Sequence, residues 1–163
     1  VNMKSTFIIF VLLCCTAFSQ IKLDLKSKFS EKSEISAVKN GALLFLKKLG
    51  EYQIVEFGED YSVWFSSYSA TLSNDTIFIS YSIDLRTPAA ISPGKILKTQ
   101  TVSVEYPVNK VLEGAELELV RELVNLYDKN LTSQLKNNEW VLEAFYTGQK
   151  SAEIISVMLG SQK

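Results

Sequence analysis

An α+β domain is what this sequence predicts: an N-terminal helix, an antiparallel sheet of about four strands in meander order, and a long C-terminal helix with short helices, packed on one sheet face. Apolar residues recur at helical steps from Glu34 to Leu49, alternate in strand fashion on both sides of Asn74-Asp75, and return to helical stripes after Asn109.

The first helix rests on Ile35, Val38, Ala42, Phe45, Leu46 and Leu49, three or four residues apart, with Gly50 as a stop. Asn40-Gly41 interrupts this run with a two-residue hairpin motif and would pair 35–39 with 42–47 as strands. The apolar spacing crosses that dipeptide without losing phase, which favours the helix. Ahead of it, 20–33 is a polar, lysine-rich lead in which Ile21, Leu23 and Leu25 alternate, either a short edge strand or loose chain.

Trp64 to Ser73 and Thr76 to Leu85 flank Asn74-Asp75, residues that tolerate the left-handed backbone of a tight turn. Folding about that turn sets Leu72 against Ile77, Ala70 against Ile79, Tyr68 against Tyr81 and Trp64 against Leu85 on one apolar face. The other face pairs Thr71 with Phe78, Ser69 with Ser80, Ser67 with Ser82 and Phe65 with Asp84. Tyr52 to Phe57 and Leu97 to Tyr106 supply two more strands, and Pro88, Pro93 and Gly94 make 86–95 an irregular loop.

From Asn109 to Lys136 two apolar stripes predict a helix of roughly 25 residues with a broad apolar face. Leu119, Leu123 and Leu126 on that face are the candidates for self-association or a protein partner. Residues 140–147 read as helix or strand, Gly148 as a break, and 151–159 as a last short helix.

The first residues predict an address. Lys4, the apolar run Phe7 to Cys15 and the Ala17-Phe18-Ser19 end match the three parts of a secretory signal peptide over 1–19, with Met3 as the expected start. The run is too short to span a bilayer. Leu13 before Cys14 is not the small residue that lipid attachment at a cysteine needs. The expected organisation is therefore a leader, the lead segment and one α+β domain over 34–163, secreted or periplasmic and not membrane-spanning once the leader is removed. Both cysteines fall inside the leader, which suits a bacterial envelope, while the sequons at Asn74 and Asn130 keep a eukaryotic host open.

Composition excludes much chemistry. The chain has no histidine and a net charge of −1, and the part after the leader has no cysteine. Without imidazole or thiolate there is no ordinary zinc, copper, haem or iron-sulfur site, no Ser-His-Asp triad and no cysteine nucleophile. No basic surplus points to nucleic acid. No metal site and no cofactor are expected. Glu56, Glu59 and Asp60 cluster at a turn without calcium-loop spacing.

The expected function is an exported, non-catalytic envelope module binding a ligand or protein partner. Its candidate ligand residues are Phe65, Phe78 and Asp84 on the hydroxyl face of the hairpin, and Arg86 and Lys95 bracketing the irregular loop as an anion clamp. Two alternatives are a hydrolase of envelope glycans using two facing carboxylates, and a structural or adhesive subunit.

Overall fold

The structure is a computed structural model that describes residues 19–28, 33–88, 93–127 and 138–162, with the side chains of 33, 34, 123–127 and 138 outside the description. In chain order the elements are β1 (Ile21–Ser27), α1 (Ser33–Leu49), β2 (Tyr52–Ile54), β3 (Tyr61–Ser73), β4 (Thr76–Arg86), β5 (Ile96–Pro107), α2 (Ala115–Tyr127) and α3 (Asn138–Gly160). One five-stranded sheet has the order β2-β1-β3-β4-β5. It is mixed, because β1 runs parallel to both β2 and β3, whereas β3, β4 and β5 are antiparallel neighbours.

The expectation of four antiparallel strands is corrected by β1. The alternation of Ile21, Leu23 and Leu25 belongs to an interior strand, not an edge, with Leu23 fully buried. A strand paired on both sides has the backbone groups of both its edges hydrogen-bonded, and its lysines ride on an otherwise internal element. The parallel pair β1 and β2 is joined through α1, since parallel neighbours need a crossover.

Asn40-Gly41 lies inside α1 and makes no turn. The reason for Gly41 is packing: a Cβ there would sit 2.1 Å from the Ala144 carbonyl oxygen, and one on Gly148 would sit 2.3 Å from the Gly41 carbonyl carbon. The two glycines let α1 and α3 touch backbone to backbone. Gly148 therefore does not break a helix, and the expected break between 147 and 151 is replaced by one 23-residue helix. Conversely, the long helix expected over 109–136 begins only at Ala115, and 128–137 lies outside the described residues.

Helix α1 lies over β1, β2 and β3, and α3 over β5 and β4. Between helices and sheet sit Leu23, Val38, Leu46, Phe65, Ile83 and Ile155, each buried completely. Three tyrosines from three strands hydrogen-bond α3 along its length. Tyr68 Oη donates to Glu143 Oε1 at 2.8 Å, Tyr81 Oη donates to the Thr147 carbonyl at 2.9 Å, and Tyr52 Oη donates to Ser156 Oγ at 3.1 Å. Tyr81 Oη also lies 2.7 Å from Ser151 Oγ, so its buried hydroxyl is satisfied twice.

The hairpin turns at Asn74-Asp75 as expected, both residues having positive φ. Pairing from Ser73 with Thr76 down to Ser69 with Ser80 follows the expected register. A bulge then intervenes between Ser66 and Ser69, with Ser67 at φ 56°, and below it Phe65 faces Ile83 and Trp64 faces Asp84. One extra residue in a strand reverses the facing of everything beyond it.

Two stability predictions follow from these contacts. Gly41→Ala forces backbone apart and is expected to lower unfolding free energy by about 1–3 kcal/mol in urea titration. Burial pushes the phenols of Tyr81 and Tyr106 well above the ordinary tyrosine value of 10.0, with the charges of Glu143 and Glu139 adding to the effect at Tyr106. Native phenols then hold protons that the unfolded chain releases, so stability is full below that value and falls as pH rises past about 10. Tyr81→Phe, read by urea titration across that range, is expected to shallow the alkaline loss.

Candidate functional site

Helices cover one face of the sheet, and the other is built from three antiparallel strands whose register sets side chains in rows. Thr71, Phe78 and Glu105 form one row, Ser69, Ser80 and Ser103 the next, Ser66, Ser82 and Thr101 the third, and Trp64, Asp84 and Thr99 the fourth. Hydroxyls dominate because these positions meet water and alternate with the buried ones. The first two rows enclose a shallow trough of about 450 Å³. Phe78 stands in it 42% exposed, among serine and threonine hydroxyls and the Glu105 carboxylate.

At the opposite end the same face is closed by a polar clasp. Two cations lie over the Trp64 ring, with Arg86 Cζ 5.1 Å and Lys26 Nζ 5.8 Å from its centroid. Each cation has a carboxylate: Arg86 Nη2 donates to Asp84 Oδ2 at 2.8 Å, and Lys26 Nζ meets Asp24 Oδ2 at 2.9 Å. Thr99 Oγ1 donates to the other Asp84 oxygen at 2.7 Å. Side chains of four strands are thus tied together on top of their backbone pairing. Trp64 Nε1 and Arg86 Nε are buried there without hydrogen-bond partners.

Of the expected ligand residues, Phe78 reaches the trough and Asp84 and Arg86 reach the clasp. Phe65 does not share their face. The bulge turns it into the core with no exposed area, and Trp64 takes the place beside Asp84. Sequence alone gave no sign of this inversion, because Ser67 resembles its serine neighbours; its positive φ is visible only in the backbone.

Arg86 and Lys95 are engaged in different ways. The Arg86 guanidinium is held against Asp84 and Trp64, while the Lys95 backbone closes the loop base, donating to Thr87 Oγ1 at 2.9 Å and accepting from Thr87 N at 3.0 Å. Residues 89–92 of that loop lie outside the described residues. On α2, Leu119 is half-buried and packs against the core; the side chains of Leu123 and Leu126 fall outside the description.

The turn acids serve the fold. Asp60 Oδ2 accepts from the Lys22 amide at 2.8 Å, and Glu59 Oε1 accepts from Ser62 Oγ at 3.3 Å, binding the 55–60 crossover to β1 and β3. Among the described residues no group of three or more acids could hold a metal ion, and no helix is long and apolar enough to cross a membrane.

No family model matches the chain, and no curated protein matches it in sequence. Two solved structures are similar to it in outline, both lipoproteins. A minor lipoprotein from Acinetobacter baumannii aligns with a TM-score of 0.43 at 10% identity, covering 86% of this chain and 92% of its own. Lipoprotein GNA1162 from Neisseria meningitidis aligns with a TM-score of 0.36 at 14% identity, covering 64% of this chain and 96% of its own.

The clasp yields its own test. Asp84→Ala strands the Arg86 guanidinium in a largely buried site, and a loss of about 2–4 kcal/mol in urea unfolding is expected.

Proposed function

We propose that this chain is an exported, non-catalytic module of a bacterial envelope that binds a ligand or protein partner through the open face of β3, β4 and β5. The observation that carries this reading is the trough of about 450 Å³ beside Phe78, a large apolar ring standing on an otherwise hydroxyl-lined face. An aromatic ring among hydrogen-bonding groups supplies contact area and orientation together. The site reading moves Phe65 out and keeps Phe78, with Glu105, Ser80 and Thr71 as its neighbours.

Export is supported by the leader-like 1–19, of which 1–18 lie outside the described residues. The missing imidazole, together with the use of Glu59, Asp60 and Asp84 in holding strands, supports a binding role over catalysis.

Two measurements test the proposal. Fractionation with mass spectrometry is expected to recover, outside the cytosol, a product beginning at Gln20; a cytosolic product retaining Met3 would overturn export. For binding, NMR spectra recorded with and without envelope extract are expected to shift at Thr71, Phe78, Ser80 and Glu105. Shifts confined to α1 and α3 would overturn the face assignment.

A further inference from the structure

We propose that two copies of this chain pair through the outer edge of β5, joining their sheets into one continuous antiparallel sheet. The two ends of the sheet are managed differently. β2 is an edge of three residues, whereas β5 is an edge of 12 residues and, among the described residues, pairs only with β4. Short edges, bulges, lysines and prolines keep sheet edges from accepting other strands. The start of β5 has a bulge opposite Arg86 and has Lys98, but Thr99 to Tyr106 has neither device and no proline.

The direction of the free groups follows from the ladder. The Val108 amide donates to the Asp75 carbonyl at 2.8 Å, so alternate residues from there, Tyr106, Val104, Val102 and Gln100, turn their amides and carbonyls toward β4. Thr99, Thr101, Ser103 and Glu105 turn theirs outward. In keeping with this, the Thr101 carbonyl accepts from the side chain of Gln100, at 3.3 Å.

These four residues are self-complementary about Val102. A two-fold axis through Val102, perpendicular to the sheet, sets Thr99 against Glu105 of the second copy and Thr101 against its Ser103. Every outward amide and carbonyl of the four then finds a partner. Hydroxyl meets carboxylate, hydroxyl meets hydroxyl, and no like charges face each other, which are favourable cross-strand pairs. The isologous arrangement closes on itself and, among the described residues, leaves no further long edge exposed.

The neighbouring flank of α3 suits the same occupant. A shallow cleft of about 120 Å³ between α3 and β5 is lined by Lys98, Gln100, Glu153 and Val157, and Val157 is 67% exposed. Lys150 and Glu153, paired at 3.2 Å on that flank, present opposite charges to an approaching twin.

Light scattering and sedimentation across a concentration series are expected to show a dimer. Thr101→Glu, at an exposed position, places a carboxylate at the seam. It is expected to weaken the dimer at least about tenfold with circular dichroism unchanged. Val102→Cys is expected to form a disulfide-linked dimer under oxidation, since axial residues of a non-hydrogen-bonded pair lie close enough to bridge. Thr99→Cys, displaced from the axis, is the control expected not to link. A monomer at all concentrations overturns the proposal. So does a dimer indifferent to Thr101→Glu in which Val102→Cys links no better than the control, since that dimer forms elsewhere.

Discussion

The contact between Gly41 and Gly148 is the constraint on which the rest of this architecture depends. Two helices must share one face of a five-stranded sheet, and they do so by bringing backbone against backbone. With α3 against α1, the hydroxyls of Tyr52, Tyr68 and Tyr81 reach α3 from three different strands. The ring contacts agree with such a tight layer: Phe45 meets Phe145 edge-on at 5.8 Å, and Tyr106 stacks on Tyr146 at 5.1 Å. Polar and apolar packing are fitted to one interhelical distance.

On the other side of the sheet, order comes from charge and aromatic contact. Trp64 with its two cations, and the aspartates that hold those cations, link strands β1, β3, β4 and β5 where no described helix does so. The face is therefore divided. One end is filled by its own side chains, and the other retains the trough beside Phe78 with hydroxyls facing solvent.

Much of this was legible in the sequence wherever a single local rule governed. The three- and four-residue spacing of Ile35, Val38, Ala42, Phe45 and Leu46 gave α1, and Asn74-Asp75 gave the turn and the distal register. Long-range partners were harder to read. Gly41 and Gly148 look like punctuation in one dimension and become contact points only when α1 meets α3. Lysines disguised β1, whose interior position depends on pairing with β2 and β3 far along the chain. Phe78 and Asp84 lie on the open face where the pattern put them, and Arg86, expected at the irregular loop, turns to Asp84 on that same face; Phe65 does not lie there, because nothing in a run of serines marks which one bulges.

That bulge has a consequence for how the hairpin can change. With Ser67 absorbing the phase difference, the distal arm from Ser69 to Ser80 keeps its own pairing independently of the buried segment below. Amino acids on the arm can drift, and the arm can lengthen or shorten by matched pairs, without rotating Phe65 or Val63 out of the interior. A fixed base and a variable tip are thereby combined in one ribbon, an arrangement under which the tip can change its surface while the base keeps the fold.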